Sequence, residues 1–191
     1  MQIGVFALQG AFIEHIRMLE KLGVKTYEIR NSKDLRDDFD GLVLPGGEST
    51  TMYKLLHDLK LEPWLKKQIK QGMPIFGTCA GLLLLAKEIT NHKINFLSTM
   101  NIVAIKNAYG KQLGSFRTVD KFNKKEVPLV FIRAPYIESV GEGVEILATV
   151  DGKIVAARDQ YQLATAFHPE LTSDLSIHEY FIDMIKNKSK H

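Results

Sequence analysis

Short apolar runs alternate with stretches of helical spacing along most of the chain. Residues 2–8 are β-like and mostly apolar, and Gln9-Gly10 ends them. Residues 11–22 then place Phe12, Ile16, Leu19 and Leu22 at helical intervals, and Gly23 stops the run. A second strand is predicted over 24–29, a polar connection over 30–40, and a third strand over Gly41–Leu44. That strand runs directly into Pro45-Gly46-Gly47-Glu48-Ser49. Ser49, Thr50 and Thr51 open a predicted helix through Leu56 with a hydroxyl as N-cap, and a further helix covers 62–71.

Ile75 and Phe76 end a buried strand, and 82–86 form an apolar run fit for the buried face of a helix. Residues 94–125 are less regular; they contain a strand over 102–105, followed by Asn107-Ala108-Tyr109-Gly110-Lys111-Gln112. A strand over 127–132 leads to Arg133-Ala134-Pro135. Glu145–Val150 and residues 153–157, joined by Asp151-Gly152, read as a hairpin. The last strand, 161–167, ends at His168-Pro169-Glu170, and 175–186 make a closing amphipathic helix. This rhythm argues for an α/β fold: a mostly parallel, flavodoxin-like sheet with helices on both faces. No repeat, low-complexity block or linker divides the 191 residues, so one domain over 1–191 is expected.

Composition adds exclusions. Hydrophobic residues at 45% and charged residues at 25% are ordinary for a globular protein. The apolar run at 82–86 is far too short for a membrane span, and the first ten residues lack a basic leader region. They read as a first strand and not as a signal peptide. A net charge of +3 is modest. The clusters Lys121, Lys124, Lys125 and Lys186, Lys188, Lys190 fit solvated faces better than a nucleic-acid surface. One cysteine permits no internal disulfide, which suits a reducing cytoplasm.

That cysteine carries the candidate chemistry. Alone, Cys79 would be read as a small buried apolar residue. Gly77 and Gly81 bracket it, however, between a strand and a helix, which permits a sharp turn of the nucleophile-elbow kind. The thiol would stand at a helix N-terminus, where unpaired N–H groups favour a thiolate. A reactive reading needs a base, and His168-Pro169-Glu170 follows another predicted strand. In an extended segment His168 and Glu170 point to one side, and Pro169 biases His168 towards that conformation. A carboxylate so placed holds the imidazole tautomer and stabilises the imidazolium. Ligands of parallel α/β sheets bind beyond the carboxyl ends of the strands, where both residues would emerge. The remaining histidines lack this setting: His15, His57 and His178 lie on helices, His92 in a polar turn and His191 at the terminus. None has metal-ligand spacing, so no metal is expected.

Pro45-Gly46-Gly47-Glu48-Ser49 follows a third strand on the same rim. By itself it is an ordinary strand-to-helix turn; beside Cys79 it offers one N–H of an oxyanion hole, with Ala80 N–H as the other. Pro-Gly-Gly-Glu-Ser-Thr-Thr, Gly-Thr-Cys-Ala-Gly-Leu and Phe-His-Pro-Glu-Leu-Thr, in this order, resemble the class I glutamine amidotransferases. Ala-Leu-Gln-Gly-Ala-Phe, Asn-Ala-Tyr-Gly and Phe-Ile-Arg-Ala-Pro narrow the resemblance to the glutaminase subunits of pyridoxal 5′-phosphate synthases, across essentially the whole chain.

The resemblance implies a Cys79–His168–Glu170 triad that hydrolyses L-glutamine to glutamate and ammonia. It implies glutamine binding by Gly47, Glu48, Ser49, Ile132 and Arg133, and no cofactor in this chain. It also implies a synthase subunit as partner, which receives the ammonia and activates the glutaminase on docking; Gln9-Gly10, on a neighbouring strand end, is a candidate part of that docking rim. The family's arginine before Asn-Ala-Tyr-Gly is here Lys106, which keeps the charge but loses the planar two-point grip on a carboxylate. Two rivals remain at this stage. One is the glutaminase of another amidotransferase, such as imidazole glycerol phosphate synthase; the other is a non-catalytic thiol sensor of related fold, which would not need His168 and Glu170.

Overall fold

The computed structural model describes residues 1–90, 92–93, 95–106 and 115–188. Its first half alternates strand and helix: β1 (Gln2–Phe6), α1 (Phe12–Lys21), β2 (Lys25–Ile29), β3 (Gly41–Leu44), α2 (Ser49–Asp58), α3 (Glu62–Lys70), β4 (Ile75–Thr78) and α4 (Ala80–Leu85). Strands dominate the second half: β5 (Ala86–Ile89), β6 (Met100–Ile105), β7 (Ser115–Phe122), β8 (Lys125–Ile132), β9 (Tyr136–Val140), β10 (Glu145–Val150), β11 (Lys153–Arg158) and β12 (Gln162–Thr165), before α5 (Ser176–Lys188).

Ten of these strands share one sheet in the order β2-β1-β3-β4-β12-β11-β9-β6-β5, with β10 beside β11. The first five are parallel and carry the flavodoxin-like order. From β11 the pairing turns antiparallel, and β5 returns parallel to β6. The expected mostly parallel α/β sheet is therefore present, with an antiparallel extension.

Helices cover both faces of the parallel part, as alternation along β4 shows. Phe76 packs edge-on against His15 of α1 and His178 of α5, and at a tilt against Phe181 of α5. Its neighbour Gly77 faces the other way, where a Cβ would lie 2.7 Å from the Gly81 backbone of α4. Strands β3 and β4 are buried along their whole length, which explains their unbroken apolar character.

Three strands escaped the sequence pattern. β7 alternates exposed and half-buried positions in a separate ribbon with β8, so its polar residues give little apolar signal. Asn123 and Lys124 close that ribbon, both at positive φ. β9 is half-exposed, and β5 begins where α4 stops after six residues. The expected hairpin at Asp151-Gly152 is formed, both residues having positive φ.

Register then fixes the functional edge. Thr78 of β4 pairs with Thr165 of β12, and Leu44 of β3 pairs with Gly77 of β4. The segments leaving β3, β4 and β12 therefore emerge side by side at one rim.

Candidate active site

Cys79 sits at the turn from β4 into α4 with φ 49° and ψ −98°. An L-residue in such a sparsely populated region stores on the order of 1–3 kcal/mol and persists only where its surroundings hold it. Here the Cys79 N–H donates to Thr165 O at 2.7 Å, tying the turn to β12. Gly81 lets α4 approach β3, since a Cβ there would fall 2.1 Å from Leu44 O. The thiol lies 3.9 Å from Ile132 O and is 7% exposed. It lines a cavity of about 450 Å³ shared with Gly47, Glu48, Ser49, Ala80, Lys106, Ile132, Arg133 and His168.

His168 follows β12, its N–H donating to Val130 O of β8 at 2.8 Å. Its Nδ1 is 2.6 Å from Glu170 Oε1, both side chains buried. The extended display expected for this pair is not what brings it together. Pro169–Leu171 is a 3₁₀ turn, and Glu170 reaches the imidazole by curling back from it. Burial works against a charged ring, but the neighbouring Cys79 and Glu170 outweigh it and raise His168 to about 10. Gly46 makes room for the ring, because a Cβ there would lie 2.3 Å from Cε1.

The loop after β3 is held from the β1–α1 turn. Gln9 Oε1 accepts from Glu48 N–H at 2.8 Å, and Gly46 O accepts from Ala11 N–H at 3.1 Å. A hydroxyl N-cap was expected for α2; the cap is instead Glu48, whose carboxylate accepts from Thr50 N–H and Thr51 N–H. Ser49 is buried, and its Oγ has no hydrogen-bond partner among the described residues. Partial burial opposes ionisation of Glu48, but the Thr51 and Thr50 N–H groups and Lys106 hold it down to about 2. Lys106 Nζ lies 3.1 Å from Glu48 Oε1 and 3.3 Å from Thr50 Oγ1, so it does reach the cavity. Across it, Arg133 is exposed and has φ 44°. Ala80 begins α4, where a first-turn N–H has no intrahelical acceptor. The Asn107-Ala108-Tyr109-Gly110-Lys111-Gln112 stretch lies outside the described residues.

His15 and His178, which carry no site signal in the sequence beyond their helical positions, both lie behind Glu170. His15 Nε2 is 3.4 Å from Glu170 Oε2 and 3.1 Å from Thr78 Oγ1, and its Nδ1 is 2.9 Å from His178 Nε2. Both rings are fully buried. Burial pushes His178 down to about 3. Burial, then the facing His178 and His168, push His15 well below its ordinary value. Those positions are themselves the signal: each histidine sits among apolar neighbours on the buried stripe of its helix, where a titratable residue is out of place. No group of three or more metal-ligating side chains with metal-site geometry occurs among the described residues.

A strained cysteine at a strand-to-helix turn, a histidine–carboxylate pair from the adjacent strand and a glycine-rich loop from the other neighbour meet at one rim of a fold shared with class I glutamine amidotransferases. More narrowly, the chain belongs to the SNO glutamine amidotransferase family, which matches residues 5–187. It is 54% identical over 193 residues to the pyridoxal 5′-phosphate synthase subunit PdxT of Streptococcus pneumoniae (strain ATCC 700669 / Spain 23F-1), covering 99% of this chain and 100% of that one. It is 56% identical over 190 residues to the same subunit of Haemophilus influenzae (strain PittEE), covering 97% and 99%. A solved glutamine amidotransferase superposes with a TM-score of 0.91 at 39% identity, covering 96% of this chain and 98% of that one.

Proposed function

We propose that this chain is the glutaminase subunit of a pyridoxal 5′-phosphate synthase, hydrolysing L-glutamine and passing ammonia to the synthase subunit for vitamin B6 biosynthesis. The observation that carries the chemistry is the buried His168 Nδ1–Glu170 Oε1 contact of 2.6 Å, with the same imidazole lining one cavity with Cys79. In the proposed reaction the Cys79 thiolate attacks the side-chain amide carbon of glutamine. The carbonyl π electrons move to oxygen, and the oxyanion is met by N–H groups of Gly47 and Ala80. His168 protonates the leaving nitrogen, ammonia departs, and a γ-glutamyl thioester remains. Water then attacks the thioester while His168 takes its proton, and glutamate leaves as the Cys79 thiolate is restored beside the His168 imidazolium.

Substrate recognition falls to the cavity walls. Gly47, Glu48 and Ser49 bound one side and Ile132 and Arg133 the other, with Lys106 above Glu48. Arg133 and Lys106 suit the α-carboxylate, and the Glu48 carboxylate suits the α-ammonium. No helix among the described residues is long and apolar enough to cross a membrane. A cytoplasmic setting suits a mechanism that needs Cys79 reduced.

Partner activation finds support in the loop that carries Gly47. Gln9 and Ala11 grip its backbone from the β1–α1 turn, so a subunit docking on that turn would act directly on the oxyanion loop. Ammonia release from glutamine, measured with and without the synthase subunit, tests this reading. It should rise sharply on adding the synthase and vanish in Cys79→Ala; equal turnover in both arms would refute the coupling.

A further inference from the structure

Glu170 uses one carboxylate oxygen on His168, and its other oxygen, Oε2, has no hydrogen-bond partner among the described residues. The side chain is fully buried, so an undirected oxygen there is costly. His15 Nε2 stands 3.4 Å away, slightly beyond a well-formed hydrogen bond, and also faces Thr78 Oγ1 at 3.1 Å. Thr78 immediately precedes Cys79, so this nitrogen lies between the triad's carboxylate and the elbow that holds its nucleophile.

Two proton arrangements are open to the neutral His15–His178 pair. If His15 carried its proton on Nδ1, it would donate to His178 Nε2. His178 would then carry its own proton on Nδ1, an atom buried without a partner, and His15 would turn a lone pair towards Glu170. Both consequences are unfavourable. In the alternative, His178 Nε2–H donates to His15 Nδ1, and His15 Nε2–H points at Thr78 and Glu170. Only an unpaired acceptor then remains on His178, which is the milder defect. The contacts select this second arrangement.

We propose that His15, its tautomer set by His178, is a positioning residue whose Nε2–H steadies the outer oxygen of Glu170 and so keeps His168 aligned with Cys79. The inference rests on the glutaminase reading of the triad. The titratable groups facing His15 are Glu170 and His168 from the β12 end and His178 from α5; β4 presents Thr78 and the edge of Phe76. The pair completes a line from Cys79 through His168, Glu170 and His15 to His178.

The test compares His15→Phe, which removes the donor, with His15→Gln, which can restore one near the Nε2 position. Two readouts are taken: glutaminase kcat and KM with the synthase subunit present, and the pH profile of Cys79 alkylation by iodoacetamide. Alkylation is unambiguous because the chain has one cysteine. His15→Phe should lower kcat on the order of tenfold with KM nearly unchanged, the scale of one lost hydrogen bond to a charged group. It should also move the alkylation profile to higher pH, as a poorly held Glu170 supports the His168 imidazolium less well. His15→Gln should recover most of both, and His178→Phe should shift both in the same direction by less. If His15→Phe does not fold, His15→Asn replaces it, since its amide sits at the Nδ1 position and does not reach Glu170.

A folded donor-less variant with wild-type kcat and a wild-type alkylation profile would overturn the proposal. So would equal losses in the Phe and Gln variants with an unmoved profile, which would mark a packing effect. If the wild type released no ammonia from glutamine, the glutaminase reading would fail, while the alkylation profiles would still decide the role of His15.

Discussion

Gly46 is the sharpest place to perturb the site without touching any triad member. A Cβ added there would lie 2.3 Å from His168 Cε1, 2.9 Å from Nδ1 and 3.3 Å from Nε2. Ordinary van der Waals contact begins at 3.4 Å, so the ring must retreat by 3.4 − 2.3 = 1.1 Å, or the loop must move by as much. The ring has little freedom, with Nδ1 tied to Glu170 at 2.6 Å and the His168 N–H tied to Val130 O. The loop is equally constrained, since Gly46 O accepts from Ala11 N–H. Either response displaces catalytic groups by about 1 Å, a shift that costs roughly 10²-fold in rate. Overpacking of this kind costs about 1–3 kcal/mol of stability, so the domain should remain folded. Gly46→Ala should therefore melt slightly lower and retain about 1% of wild-type kcat in a coupled glutaminase assay with the synthase subunit. A folded Gly46→Ala protein with more than half of wild-type kcat would refute the close fit of imidazole and loop.

Three further expectations follow from the same geometry. Lys106→Ala should raise KM for glutamine about tenfold with a smaller change in kcat, while Lys106→Arg should hold or lower KM, because the cation faces the cavity beside Glu48. Glu48→Ala should destabilise the protein by about 1 kcal/mol through loss of the α2 cap, measured by urea unfolding at pH 7. That cap contribution is complete above the ordinary carboxylate range near pH 4.5 and fades as pH falls towards 2. His178 stays neutral in the fold down to about pH 3, whereas the unfolded chain protonates it near 6.5, so folding is opposed progressively as pH falls below 6.5. Urea titrations between pH 6 and 4 should show stability falling about 1.4 kcal/mol per pH unit less steeply in His178→Phe than in wild type.

Much of this architecture was legible in the residues. The parallel strands are buried on both faces, so β3 and β4 appear as unbroken apolar runs, and the glycines around Cys79 mark the elbow. Asp151-Gly152 announced its hairpin through turn chemistry alone. The strands at the antiparallel end were harder: among the described residues β7 pairs only with β8 and leaves alternate side chains in solvent, so polar residues fill it. Glu48 as a cap was hidden because three hydroxyl residues follow it and compete for the same role on paper. The inward turn of Glu170 depends on the 3₁₀ geometry after Pro169, which an alternation rule cannot supply. His15 and His178 are 163 positions apart, and their convergence on Glu170 follows from two helices packing on one face of β4.

Covalent trapping tests the central assignment most directly. The protein, with its synthase subunit present, is incubated with an electrophilic glutamine analogue, digested and mapped by mass spectrometry. One adduct per chain is expected, on Cys79, blocked by excess glutamine and strongly slowed in His168→Ala. Modification that ignores glutamine, or ammonia release that survives Cys79→Ala, would contradict it.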